Sequence, residues 1–133
     1  MEQNAFFDIR AEVSKNRLYV ILKGLFGDED SKQAVEKTVA EVKKLMPGFS
    51  VITDISEFKP ATAFALERIQ RGQEAIAQQG VKRIIRVVDS HNITGQMQFK
   101  RMGKQVYKSV DPDIASSLQE AEALLDMRIS KNL

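Results

Sequence analysis

An α/β fold built on a mixed, mostly parallel sheet of four to five strands is what the sequence predicts. Three observations lead to it. Apolar runs of strand length alternate with stretches of helical periodicity. The first two runs are separated only by a short polar break, which favours an antiparallel hairpin. The length, 133 residues, suits one domain. The expected order is β-β-α-β-α-β-α-β-α, with about four helices in a single domain over 1–133. Its core is expected from about Phe6 to Asp126, with a frayed end over residues 128–133.

Phe7, Ile9, Ala11 and Val13 alternate with Asp8, Arg10 and Glu12, the period of a half-buried strand. After the break at Ser14–Arg17, Leu18–Leu22 alternates less and reads as a more buried strand. Gly24–Asp28 leads into a helix for which Asp30 and Ser31 are candidate caps. Val35, Val39, Val42 and Met46 follow at helical spacing until Pro47-Gly48. Phe49–Ile55 is the third strand and Glu57–Lys59 a connecting loop. Pro60 suits the first position of a second helix. Thr62, Leu66, Ile69, Gly72 and Ile76 mark one face of that helix, where Gly72 allows close approach to the sheet. Gly80 is its C-cap. Val81–Val88 is the fourth strand. A third helix is expected from about Thr94 to Gln105, with Met97 and Met102 facing inward. A short edge strand follows within Val106–Ile114, broken around Pro112. Ser116–Glu120 is a capping box for a last helix with Leu118, Ala121, Leu124 and Leu125 inward.

Composition narrows the function. The chain has no cysteine, which excludes a disulfide scaffold, a zinc–thiolate site and a thiol nucleophile. No apolar run approaches the roughly 18 residues of a membrane span. Met1–Asp8 lacks the basic start and apolar stretch of a secretory signal, so a cytoplasmic protein is expected. Net charge is +2. Residues 61–110 hold nine basic and three acidic side chains, a pattern that also fits solvated helix faces. The aromatics interleaved with them are too few for a base-stacking surface, so no nucleic-acid partner is expected. Gly24 and Gly27 lack the rest of a phosphate-binding loop.

The element order, together with Val51-Ile52-Thr53-Asp54-Ile55-Ser56, resembles the STAS-like (SpoIIAA-like) family, whose third strand is apolar and ends in Asp-apolar-Ser. The resemblance covers about Phe6 to Asp126 and implies a regulatory domain like the anti-sigma-factor antagonists. In that family a helix opening Asp-Ser-Ser/Thr-Gly follows, and one hydroxyl is phosphorylated. Here the helix opens Pro60-Ala61-Thr62-Ala63, and Thr62 is the only hydroxyl near that position. The chain fits better a divergent branch that also resembles Sec14-type lipid-binding domains.

Sites in parallel sheets form at the carboxyl ends of strands. That edge holds Asp54, Ser56, Phe58, Thr62 and Phe64, the candidate surface for a protein partner, with Thr62 as candidate phosphoacceptor. The plainer role for Thr62 is a helix cap, and for Phe64 an edge-of-core aromatic. Asp89, Ser90, His91 and Asn92 lie after the fourth strand. A Ser-His-Asp relay sketched from them has no nucleophile elbow to support it, so no catalytic residue is assigned and no enzyme activity is expected. Asp28, Glu29 and Asp30 suit a helix start rather than a calcium loop, and no metal or cofactor is expected. The alternative function is binding of a lipid or small apolar ligand. Met97, Phe99 and Met102 would wall its pocket, with Lys100 and Arg101 at the mouth. The edge strand and an exposed Phe also allow a homodimer.

Overall fold

A computed structural model of the chain describes residues 4–60, 62–89, 91, 97, 100, 101, 103, 104, 106, 107 and 110–131. Five strands form one sheet in sequence order: β1 (Phe6–Glu12), β2 (Arg17–Phe26), β3 (Ser50–Pro60), β4 (Arg83–Val87) and β5 (Asp113–Ala115). β1 and β2 are antiparallel and the remaining pairs are parallel. The connections carry α1 (Asp28–Val42), α2 (Ala63–Gln79) and, after β5, α3 (Leu118–Lys131). The mixed sheet and its opening hairpin are therefore as expected. The further helix expected over Thr94–Gln105 falls largely outside the described residues. Within it, Met97, Lys100, Arg101, Gly103 and Lys104 have helical backbone, as does the following Val106.

Local chemistry sets the turns. The hairpin closes through a 3-10 turn, Val13–Lys15, and Asn16 in the left-handed region at φ 49°. Asn16 also exchanges two hydrogen bonds with the backbone of Met46, tying the hairpin to the end of α1. Gly80 caps α2 at φ 94°, and Ser117 caps α3 by accepting from Glu120 N–H at 3.0 Å.

Backbone alternation gives the sheet two apolar faces. Leu18, Val20, Leu22, Val51, Ile55 and Ile84 face α1 and α2. Tyr19, Ile52, Ile85 and Val87 face α3 through Ala121 and Leu125.

Five expectations change. α1 begins at Asp28 after an N-cap at Gly27, so Ser31 lies inside the helix, and Asp30 acts from its third position by accepting from Gly27 N–H. β2 runs to Phe26 and β3 to Pro60, so Glu57–Lys59 is strand and not loop, paired with Lys23–Leu25. Pro60 ends β3 instead of opening α2, whose cap is Thr62. The buried face of α1 is Ser31, Ala34, Thr38, Glu41 and Val42, while Met46 is 72% exposed. Ser31 and Thr38 reach those positions because their hydroxyls donate back to Asp28 and Ala34 carbonyls. Gly72 is buried, and an added Cβ would meet Thr38 of α1 at an ordinary 3.8 Å, so crowding does not require the glycine.

Two carboxylates tie layers together. Glu41, buried on α1, accepts from Lys44 and from the Ala11 N–H of β1 at 3.0 Å. Asp126 on α3 accepts from Arg17 of β2 at 2.8 Å. Lys44 and then the Ala11 amide hold Glu41 below the ordinary carboxylate range, and Arg17 does so for Asp126. The folded state therefore binds fewer protons than the unfolded state as these groups titrate. Their stabilisation is present above the ordinary value, 4.5 for Glu41, and is lost as pH falls through the lowered one. Denaturant midpoints should hold from pH 7 to about 4.5 and then fall. The Glu41→Gln/Asp126→Asn double variant should start lower and fall less steeply.

Candidate functional site

The centre of β3 sets the geometry. Ile21 pairs with Asp54 and Lys23 with Glu57, so Leu22 faces two residues, Ile55 and Ser56. This is a β-bulge. The Asp54 carboxylate stabilises it by accepting from Ser56 N–H at 3.1 Å and Ser56 Oγ–H at 2.7 Å. The Asp-apolar-Ser sequence thus has a structural job in this chain. β4 stops at Val87 opposite Asp54, and β3 continues alone beside β2.

That continuation divides the expected partner residues. Phe58 is fully buried against Phe26, ring centroids 5.6 Å apart, and is corrected from a surface contact to a core residue. From Ser56 to Pro60 the strand spans roughly 13 Å at about 3.3 Å per residue. Asp54 and Ser56 thus lie at one end of this run, and Thr62 and Phe64 follow its other end.

Ser56 lines an open groove of about 850 Å³ with Glu57, Val88, Asp89, Ser116 and Glu120. It lies at the carboxyl ends of β3, β4 and β5, where the topology places sites. Its ionisable lining is acidic. Ser116 holds the Glu120 carboxylate below its ordinary range by hydrogen bonds from its hydroxyl and amide. His91 is exposed and its amide donates to Asp89. The Ser56 hydroxyl donates to Asp54 and not to an imidazole. Ser90 and Asn92 lie outside the described residues. Among the described residues, no group of three His, Cys, Asp or Glu side chains is placed to hold a metal ion. No described helix is long and apolar enough to cross a membrane.

The second surface is the corner where α1 and α2 both begin. Thr62 Oγ1 accepts from Ala65 N–H at 2.9 Å and donates to Asp28 Oδ1 at 2.9 Å. Arg68 donates to the Asp28 carbonyl, and its guanidinium lies 4.8 Å from the centre of the Phe64 ring. Phe64 is 51% exposed. The sequence indicated the exposed Phe64 but not the pairing of Thr62 with Asp28, which are 34 residues apart.

Of the residues named for the alternative pocket, Phe99 and Met102 lie outside the described set, and Met97 and Arg101 are exposed. Lys100 lines a pocket of about 330 Å³ with Arg86, Gly103, Lys104, Tyr107 and Ile114 among its walls. The sequence reading missed Arg86, Gly103 and Tyr107 there. One signal was present: Arg86 is the only charge in the run Ile84–Val88.

The corner geometry predicts separable roles for Thr62. Thr62→Ala removes the cap and the link to Asp28 and should lower unfolding free energy by about 1 kcal/mol. Thr62→Ser should retain most of it. Chemical denaturation of the two variants against wild type measures the difference.

Compared with known proteins, the chain matches no protein-family model, and no curated protein matches it in sequence.

Proposed function

We propose that the chain is a cytoplasmic, non-enzymatic regulatory module of STAS-like type that binds a protein partner through the α1–α2 corner. The observation that carries this reading is the exposed Phe64 ring under the Arg68 guanidinium, next to the Thr62 hydroxyl. Aromatic and arginine side chains contribute a large share of binding energy at protein interfaces. The hairpin-led parallel sheet and the Asp54-Ile55-Ser56 bulge are compatible with the resemblance, and the bulge positions this corner.

A phosphate on Thr62 would add up to about two negative charges. It would sit against Asp28, whose carboxylate now accepts the hydroxyl proton, and close to Arg68. The α2 N-terminus and Arg68 attract it, while Asp28 repels it. Modification would thus break the tie between the starts of α1 and α2 and alter the surface around Phe64.

A second reading, a small-ligand module in the manner of Sec14-like domains, has one observation in its favour, the pocket beside Lys100. The interior between the helices and the sheet does not favour it. The cavity there is about 20 Å³, the size of a single water, with Gln73 among its walls.

Affinity capture from the native cell with wild-type chain as bait, repeated with Phe64→Ala and Thr62→Asp, tests the first reading. A partner retained by wild type should be weakened by about 1–3 kcal/mol in Phe64→Ala and changed in Thr62→Asp. A partner held equally by all three baits removes the corner. An unmodified Thr62 in native protein, with full binding by Thr62→Asp, removes the switch.

A further inference from the structure

Arg86 is the most deeply buried cation among the described residues that follow α2. Its neighbours Ile85 and Val87 face α3, so Arg86 points to the opposite face of the sheet, under Gly103 and Tyr107. It is 4% exposed. A Cβ at position 103 would collide with the Arg86 guanidinium, so the glycine there gives the guanidinium its room. Burial lowers the pKa of Arg86 and pushes the Tyr107 hydroxyl well up, which marks the desolvated character of the spot.

This guanidinium forms the inner wall of the 330 Å³ pocket. Lys100 and Lys104, both exposed, stand at its rim and add two further cations. Among the described residues, Asp111 is the one carboxylate in the lining. Val110, Pro112 and Ile114 supply an apolar side. Three cations against one carboxylate give the pocket a positive field. Its volume is at the small end of the range for small-molecule sites, too small for a long acyl chain.

We propose that this pocket binds a small organic oxyanion, its phosphate or carboxylate against Arg86, Lys100 and Lys104 and a short apolar body against Val110, Pro112 and Ile114. The assignment rests on the small-ligand reading and leaves the partner surface at Phe64 independent of it. A guanidinium held in a desolvated site forms stronger charge-assisted hydrogen bonds to an oxyanion than one in water. The flanking ammonium groups add attraction that salt screens.

The test is an amide-resolved NMR titration of the full chain at constant ionic strength with two probes, n-butyl phosphate and n-butanol. n-Butyl phosphate should give saturable shifts at Lys100, Gly103, Lys104, Val110, Asp111, Asp113 and Ile114. Affinity should drop about tenfold or more in Lys100→Glu/Lys104→Glu and be unchanged in Lys32→Glu/Lys43→Glu, on α1 and at its C-cap. Arg86→Gln should abolish binding where that variant folds. The exposed lysine pair decides the matter if it does not. Equal binding of n-butanol and n-butyl phosphate in this pocket would overturn the anion assignment and leave a ligand pocket. Shifts spread over all basic faces, or equal weakening in both lysine pairs, would remove the site. No saturable shift with either probe would remove the site and the small-ligand reading together.

Discussion

The extra residue in β3 between Asp54 and Glu57 is the constraint on which the placement of the other elements depends. A strand shows alternate side chains to its two faces, and one inserted residue exchanges them. Before the bulge, Val51 and Ile55 point to the helical layer. After it, Phe58 does so, three residues on from Ile55. Without the insertion Phe58 would turn to the other face and Phe26 would lose its partner ring. The bulge interrupts the ladder register, and the Asp54 carboxylate accepts from both the amide and the hydroxyl of Ser56. Because β3 then continues past the end of β4, it delivers α2 to the corner where Asp28 starts α1, and it leaves Ser56 and Glu57 as one wall of the groove.

The opposite face is held by a different device. Arg17, 1% exposed at the start of β2, donates to Asp126 of α3 at 2.8 Å and to the Tyr19 hydroxyl at 3.3 Å. Tyr19 in turn donates to Glu122 at 2.7 Å, and the Arg10 guanidinium covers its ring. Asp126 is itself about half exposed, so the attraction between the two charges is partly screened. The orientation they impose matters more. Removing the carboxylate would leave a buried guanidinium short of an acceptor, which costs more than the pair contributes when intact. A helix over one face of a sheet, with Ala121 and Leu125 the fully inward residues among those described, depends on such a polar clamp for its register.

Most of the fold was legible because burial writes a period into the sequence. The hairpin, the parallel pairing, the Gly80 cap and the Ser117 cap of α3 all followed from period and cap chemistry. The failures share a cause, a local event that breaks the period. The bulge shifts Phe58 to an odd spacing, so the strand read as ending at Ile55. On α1 the inward positions are filled by Ser31, Thr38 and Glu41, which an apolar count passes over in favour of Val39 and Met46. Of the candidate surface, Phe64 and Thr62 were legible as helix-start residues. Their separation from Asp54 was not, because it depends on how far β3 extends. Arg86 in an apolar strand was visible as an anomaly, but its meaning needed Gly103 and Tyr107, which only the tertiary fold brings to it.

The filled interior also decides where chemistry can occur. The cavity that α1 and α2 enclose against the sheet is about 20 Å³, and the larger open spaces lie at the rims. The rims differ sharply in charge although the chain as a whole is nearly neutral. Glu57, Asp89 and Glu120 make one groove acidic, while Arg86, Lys100 and Lys104 make the pocket basic. Ile114 lines both, so the wall between them is β5, three residues paired to β4 alone. An edge strand this short is held by few hydrogen bonds and opens at a smaller free-energy cost than the centre of the sheet. Any ligand that orders Ile114 from the basic side therefore also orders one wall of the acidic groove. β5 is thus a wall common to both rims, whereas the Phe64 corner lies beyond the bulge, past the buried pair Phe26 and Phe58.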